Sequence, residues 1–385
     1  MLEDHLVEMV AIASFSLGLF GAALCLMQTR DVWPHRALSL VLFVSSVMDF
    51  DDIHWPIADP LIAARVETIT SVLWLIGVTS IIPLFWHYVE AVTAIRPRLP
   101  NRLWPHLILP FCAVFIGLTT LFMPRADWQG LFVDTVPLPT GWPLAVGIFG
   151  EILVIASVAQ WGIYLVAITR ALLRYKARLH QYVASTARRE LHWVWGVMCG
   201  FGVYWVLAVV DLGFDLGNTR TGIPPWLDSF FGLGMLIVVL LWGLRQRPGL
   251  APDVVTREPD ETKYRNSALT VDMATRLERK LRQAMTDNAM HQDPNLSLWS
   301  LSRHIGASPN YVSQTLNENI GESFFDFVNG YRIKAAQALL RDTDQMVLQI
   351  AYDVGFNSRS SFYTAFSKVT GQTPIAYRKS VSGKA

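Results

Sequence analysis

"VLQIAYDVGFNSRSSFYTAFSKVTG", residues 347–371, reads as two short helices on either side of a glycine turn. Ile350 and Val354 lie four apart on one face of the first helix, and Gly355 takes the tight turn that follows. Ser358 is placed to cap the second helix, because its hydroxyl can accept from a backbone N–H that the helix leaves unbonded. Phe362 and Phe366, again four apart, are the inward anchors, and Gly371 closes the helix. The spacing predicts a helix-turn-helix unit.

The same arrangement occurs upstream in "LSLWSLSRHIGASPNYVSQTLNENIG", residues 296–321. Leu298, Leu301 and Ile305 line a first helix, Gly306 takes the turn, and Ser308 caps a second helix with Pro309 at its first position. Val312 and Leu316 face inward and Gly321 closes. A turn one residue longer in the second copy accounts for the whole offset between them. Between the copies, "ESFFDFVNGYRIKAAQALLRD" (322–342) is expected to be one helix with Phe324, Phe327, Val328, Tyr331, Ile333 and Ala335 to Leu339 inward. Ahead of both, Met273, Leu277, Leu281 and Met285 form a single apolar stripe on a charged helix.

Residues 263–379 resemble the DNA-binding domain of the AraC/XylS family of bacterial transcription regulators. Ile350-Ala351, Gly355-Phe356, Ser358, Ser360, Phe362, Phe366, Gly371, Pro374, Tyr377 and Arg378 carry the likeness. Ser367 departs from it, standing where members usually carry a basic residue. The resemblance covers roughly a third of the chain and implies two helices entering successive major-groove segments, about 34 Å apart, from one face of the duplex.

Side chains on the first turns of each second helix are the candidates for base edges. In the first unit these are Ser308, Asn310, Tyr311 and Gln314; in the second, Asn357, Ser358, Arg359, Ser360 and Tyr363. Asn and Gln suit adenine, and Arg suits guanine. Arg303, Arg332, Lys334, Lys368, Arg378 and Lys379 are assigned to phosphates, which position a protein without reading sequence. Residues 263–385 carry a net charge of +5 and residues 1–262 a net −4. So modest a positive charge would not by itself argue for DNA.

The first two-thirds of the chain are of another kind. Of 14 tryptophans, all but Trp299 precede residue 243. Seven apolar stretches, near 6–27, 37–57, 68–92, 103–123, 143–170, 191–212 and 225–244, reach the roughly 20 residues that a membrane-crossing helix needs. The acidic start "MLEDH" argues for a retained span over a cleaved signal. Thirteen Lys and Arg fall on one side of these stretches and three on the other, Arg65, Arg125 and Arg220. That bias places the amino terminus outside and the carboxyl terminus in the cytoplasm of a bacterial inner membrane. Cys25, Cys112 and Cys199 each sit in an apolar run, without metal-ligand spacing.

The expected organisation is all-α: a seven-helix membrane domain over 1–244, a flexible linker over 245–262 and the DNA-binding domain over 263–385. Intramembrane polar groups are costly and mark candidate sites. Asp49, Asp52 and His54 at the outer end of the second span, Glu151 in the fifth and Asp211 in the sixth are the candidate signal site. Asp49 and Asp52 would share a helical face. Gly196 and Gly200 permit close approach of a helix, within the chain or across a dimer.

These features predict a one-component transcription regulator, with double-stranded promoter DNA, the bilayer, an unknown small ligand, cation or proton, and a second copy as partners. No catalytic residue, metal site or cofactor is indicated. A transporter with a regulatory tail, or a passive anchor, are the competing readings.

Overall fold

The computed structural model describes residues 2–29, 32–53, 55, 57, 59–94, 104–124, 127, 138–184, 191–216, 224–246 and 269–382. Among them every regular element is helical, with one isolated antiparallel bridge between Val183 and Ser297. The chain divides into two compact units, residues 1–172 with 191–248, and residues 173–190 with 249–385. The stretch 173–190, expected to belong to the apolar region, therefore goes with the C-terminal part. The expected linker lies outside the described residues from position 247 onward.

The first unit comprises α1 (Leu2–Leu26), α2 (Val32–Met48), α3 (Pro60–Thr93), α4 (Trp104–Thr120), α5 (Trp142–Tyr182) as far as Leu172, α6 (His192–Leu216) and α7 (Pro225–Arg245). Helix α1 packs on α2 and α7, α2 on α3, α3 on α4, and α6 on α7. Five of the seven helices are long and apolar enough to cross a membrane; α2 and α4, at 17 residues each, are shorter. The expectation of seven full spans is corrected to that extent. Helix α2 was expected to run to residue 57 but stops at Met48. Asp49, Asp51 and Asp52 follow in quick succession, and such residues favour turns over helix interiors. Asp49 and Asp52 thus lie in a turn, not on a helix face.

Indole N–H groups tie the helices together. Trp161 donates to the carbonyl of Val78 at 3.2 Å and Trp205 to that of Val158 at 2.8 Å. A methyl group at Gly200 would sit 2.7 Å from the Met235 sulfur, so this glycine admits α7; nothing lies within 4 Å of the same position on Gly196.

The second unit contains the end of α5, then α8 (Val271–Thr286), a 3-10 turn (Met290–Gln292), α9 (Leu298–Ile305), α10 (Pro309–Gln314) prolonged by a π-helical turn (Thr315–Ile320), α11 (Phe324–Asp342), α12 (Val347–Asp353), α13 (Arg359–Thr370) and α14 (Pro374–Ser382). Two cores form on opposite stretches of α11. Phe324, Phe327 and Val328 close the first with Leu281, Leu301, Val312 and Leu316. Ile333, Ala336 and Leu340 close the second with Ile350, Val354, Phe362 and Phe366. Each fully buried large apolar side chain contributes roughly 1.5–3 kcal/mol. The connecting helix is thus held at both ends by the units it separates.

Candidate nucleic-acid interface

Each half of the second unit is a pair of helices meeting across a left-handed glycine. Gly306 (φ 67°) ends α9, and Gly355 (φ 98°) follows α12. Ser308 Oγ accepts from the Tyr311 N–H at 3.3 Å, and Ser358 Oγ from that of Ser361 at 3.2 Å, so both caps are formed. Gly321 and Gly371, both left-handed, close the second helices. Ser308 and Ser358 therefore spend their oxygens on the backbone and set the start of each second helix.

The caps give a common origin for comparing the halves. Val312 and Phe362 stand four residues on, Leu316 and Phe366 eight, and all four are buried. Asn310 matches Ser360 in register and Gln314 matches Thr364. Ser313 matches Tyr363. Ser313 and Thr364 are candidates that the sequence reading passed over, and aligning the caps in place of the turn glycines would have found them. Asn310, Arg359 and Ser360 are exposed, while Tyr311, Gln314, Asn357 and Tyr363 are half-buried. Gln314 donates to Glu318 at 2.8 Å, and the Arg359 guanidinium lies 5.1 Å from the centre of the Tyr363 ring. Arginine is thereby held against an aromatic face at the first turn of α13.

The cations divide into two kinds. Arg303, Lys334 and Lys379 are exposed, with the Lys334 ammonium over the Tyr331 ring. Lys368 pairs with Asp326 at 2.7 Å, and Arg378 donates to the carbonyl of Gln345 at 2.6 Å. Arg332 corrects its assignment to a phosphate. Its side chain is fully buried, and its guanidinium donates to the carbonyls of His291 (2.7 Å), Asp293 (2.8 Å) and Ala184 (3.1 Å) and to Asn329 Oδ1 (3.2 Å). Burial pushes this guanidinium down to about 10, with the Asp293 charge acting the other way. A cation held by carbonyls has few donors left for a phosphate.

Arg332 also lies 5.4 Å from the centre of the Phe356 ring, next to the turn of the second half. A methyl group at Gly355 would come within 2.5 Å of the His291 carbonyl oxygen, which Arg332 already holds. The glycine at this turn answers two demands, a left-handed backbone and contact with the 290–292 turn.

Of the candidate signal residues in the first unit, His54 lies outside the described residues. Asp49 is within charge–charge range of Asp52, Asp52 of Asp228, and Asp228 of Asp211; Tyr204 is in range of the last three. One Asp49 oxygen is buried without a hydrogen bond. Asp228, in the first turn of α7, was not singled out from the sequence, although a lone carboxylate opening an apolar helix was a usable signal. Glu151 is exposed on α5, and the structure does not bring it into this group. Tyr204 stands with the aspartates. Among the described residues no group of three or more His, Cys, Asp or Glu could hold a metal ion. A cavity of about 430 Å³ lined by Leu165, Thr169, Arg170, Met198 and Cys199 lies about 18 Å along α6 from Asp211, at 1.5 Å rise per residue.

Two capped helix-turn-helix pairs are thus joined by one connecting helix. Residues 301–380 match the family model described as "Helix-turn-helix domain". A Staphylococcus aureus protein described as an "Uncharacterized HTH-type transcriptional regulator" is 37% identical over 99 residues, covering 26% of this chain and 13% of that one. The melibiose operon regulatory protein of Escherichia coli (strain K12) is 33% identical over 91 residues, 24% of this chain and 30% of that one. The chain thus spans less than a third of the length of these curated relatives. Among solved structures, "The C-terminal domain of AraT, a response regulator from Geobacillus stearothermophilus" shares 27% identity, covering 30% of this chain and 88% of that one, with a TM-score of 0.25.

Proposed function

We propose that this chain is a membrane-integrated, one-component transcription regulator that binds promoter DNA through both helix-turn-helix pairs, as a homodimer in a bacterial inner membrane. Asn310, Tyr311, Gln314, Arg359, Ser360 and Tyr363 would meet base edges, with Asn357 beside them. Arg303, Lys334, Lys368, Arg378 and Lys379 would meet phosphates. The observation that carries the DNA-binding part is the pair of cap-aligned reading helices with exposed polar residues at their starts. The relatives, described as an HTH-type transcriptional regulator and an operon regulatory protein, add to it.

The membrane part is supported by what the first unit exposes. Phe111, Phe115, Phe122, Phe149 and Ile163 are each more than 60% exposed. Apolar exposure on this scale suits a lipid solvent. Trp33, Trp55, Trp104, Trp142 and Trp242, at or near helix ends, are exposed too, as rings at the headgroup level would be. Seven crossings, with residues 269–382 in the cytoplasm, then follow from the arginine bias. The short α2 and α4 would cross with help from flanking residues or local thinning. A cation or proton acting on Asp49, Asp52, Asp211 and Asp228 would have to favour one packing of these helices over another to change the output.

The test is genome-wide mapping of DNA crosslinked to the tagged full chain, recovered from the membrane fraction. Discrete enriched sites near promoters are expected; uniform recovery would overturn the proposal. A phosphatase active only outside the cell, fused after residue 385, should be silent. If substituting Asp49 and Asp211 left the promoter response intact, the membrane part would be an anchor alone.

A further inference from the structure

The end of α5 is built into the first helix-turn-helix pair, and both belong to one compact unit. His180 stacks on Phe325 with ring centres 4.4 Å apart, and Tyr182 on Trp299 at 4.9 Å. Val183 bridges Ser297, the cap of α9, and the Ala184 N–H donates to the Leu296 carbonyl at 3.2 Å. The Ala184 carbonyl accepts from Arg332 at 3.1 Å and from Asn329 Nδ2 at 3.4 Å. Leu179, Val183 and Ala184 are all buried. These partners sit on α9, on its cap and on α11, whereas Asn310 and Arg359 at the reading ends stay exposed. The tail does not mask those ends. It grips the supporting helices.

Arg332 gives this grip a consequence. Its acceptors come from three places, Ala184 of the tail, the 289–293 turn and Asn329, and its guanidinium lies by Phe356 of the second pair. A buried cation whose acceptors are complete holds its surroundings firmly; one stripped of an acceptor has an unmet donor in a dry site. We propose that residues 179–184 are a positioning element for two-segment DNA reading: docked, they complete the acceptor set of Arg332 and so fix α13 relative to α10. The inference rests on the DNA-binding function proposed above. The tail is covalently continuous with α5, so a change in that helix has a route to the reading unit apart from residues 245–262.

The experiment uses the full chain in detergent and duplexes that it enriches from a random library. Each half of an enriched duplex is also tested alone on a scrambled background. The double variant His180→Ala/Tyr182→Ala removes both stacks and touches no proposed base or phosphate contact. It is expected to lose on the order of tenfold affinity for the intact duplex, the scale of a weakened linkage between two modules. Binding to single halves should change less than twofold, which also reports that the unit is folded. Tyr182→Phe, which keeps its ring, should bind as the parent does. Unchanged binding to the intact duplex, or equal losses on intact and half duplexes, would overturn the proposal. Failure of the unaltered chain to enrich any sequence would sink the DNA-binding reading itself, an outcome distinct from both.

Discussion

Helices α6 and α8 show how differently the two units use apolar residues. Over His192–Phe214, α6 has a mean hydropathy of 1.9, yet only 11% of its apolar window is buried. Helix α8 is mostly polar, and it buries Ala274, Leu281, Ala284 and Met285 from one side. In α8 the pattern separates inside from outside, as water requires. In α6 apolar residues point outward as freely as inward, an arrangement that suits the lipid solvent proposed above. Folding of the second unit draws on the hydrophobic effect; in the proposed bilayer, helix association in the first would depend on close packing and interhelical hydrogen bonds such as Trp205 to Val158.

The same substitution in each unit is the strongest way to break this comparison. Phe362 is fully buried in the second core of the helix-turn-helix unit, and Phe115 of α4 is 69% exposed. Phe362→Ala is expected to destabilise its unit by about 3–5 kcal/mol, because a cavity adds to the lost transfer energy. Phe115→Ala should change the stability of the purified full chain by about 0.5 kcal/mol or less. Thermal unfolding followed separately in the two units decides it, and a large loss at Phe115 would mean that α4 is packed against something other than lipid.

Arg332 sharpens the contrast from the polar side. Arg332→Met keeps much of the side-chain volume but leaves the carbonyls of Ala184, His291 and Asp293 without this donor. Orphaned buried acceptors cost about 1–3 kcal/mol each, offset in part by no longer burying a cation. A net loss of about 2–3 kcal/mol in urea unfolding is expected. A neutral or stabilising outcome would show that the carbonyls find other donors.

How much of this was legible in the sequence follows the same division. Val312, Leu316, Phe362 and Phe366 could be named as anchors because spacing and burial agree there, and the caps Ser308 and Ser358 because their chemistry is local. Arg332 was misread because a cation on an amphipathic helix ordinarily faces water, and only the tertiary fold brings three carbonyls to it. The end of α5 was missed for a related reason. "ALLRYKARLHQY" (171–182) is rich in charge and follows an apolar run, so it reads as the cytoplasmic flank of a span. Yet Leu172, Tyr175 and Leu179, at steps of three and four, form a buried stripe through those charges. Turn chemistry likewise outweighed the apolar run after Met48 and moved Asp49 and Asp52 off the helix.

Within the helix-turn-helix unit, Arg359 and Lys379 separate the proposed base reading from charge. Arg359→Ala is expected to cost about 1–3 kcal/mol on the preferred duplex and to relax the preference at one position. Lys379→Ala should weaken all duplexes alike and lower the salt slope by about one. Titrations of both variants at two salt concentrations distinguish them, and equal behaviour would remove Arg359 from the base-reading set.

The smallest expected effect concerns the ion pair of Lys368 with Asp326, which joins the end of α13 to the start of α11. Burial works to raise the Asp326 carboxyl, but hydrogen bonds from Lys368 and Ser323 outweigh it and hold the group below the usual carboxylate range. A carboxylate lowered in the folded state adds stability at pH values above its unfolded pKa, roughly 4, and loses that contribution as pH falls through the lower folded value. The side chains are 66% and 42% exposed, so solvent screening limits the pair to about 0.2–1 kcal/mol. Asp326→Asn should therefore flatten the acid limb of the unfolding profile slightly, and raised salt should shrink the difference. The same variant sets Lys368 free. If that lysine meets a phosphate, Asp326→Asn should tighten binding to every duplex by a small, uniform factor that high salt erases. If it serves only to join α13 to α11, DNA affinity should fall or stay constant while the acid limb flattens all the same.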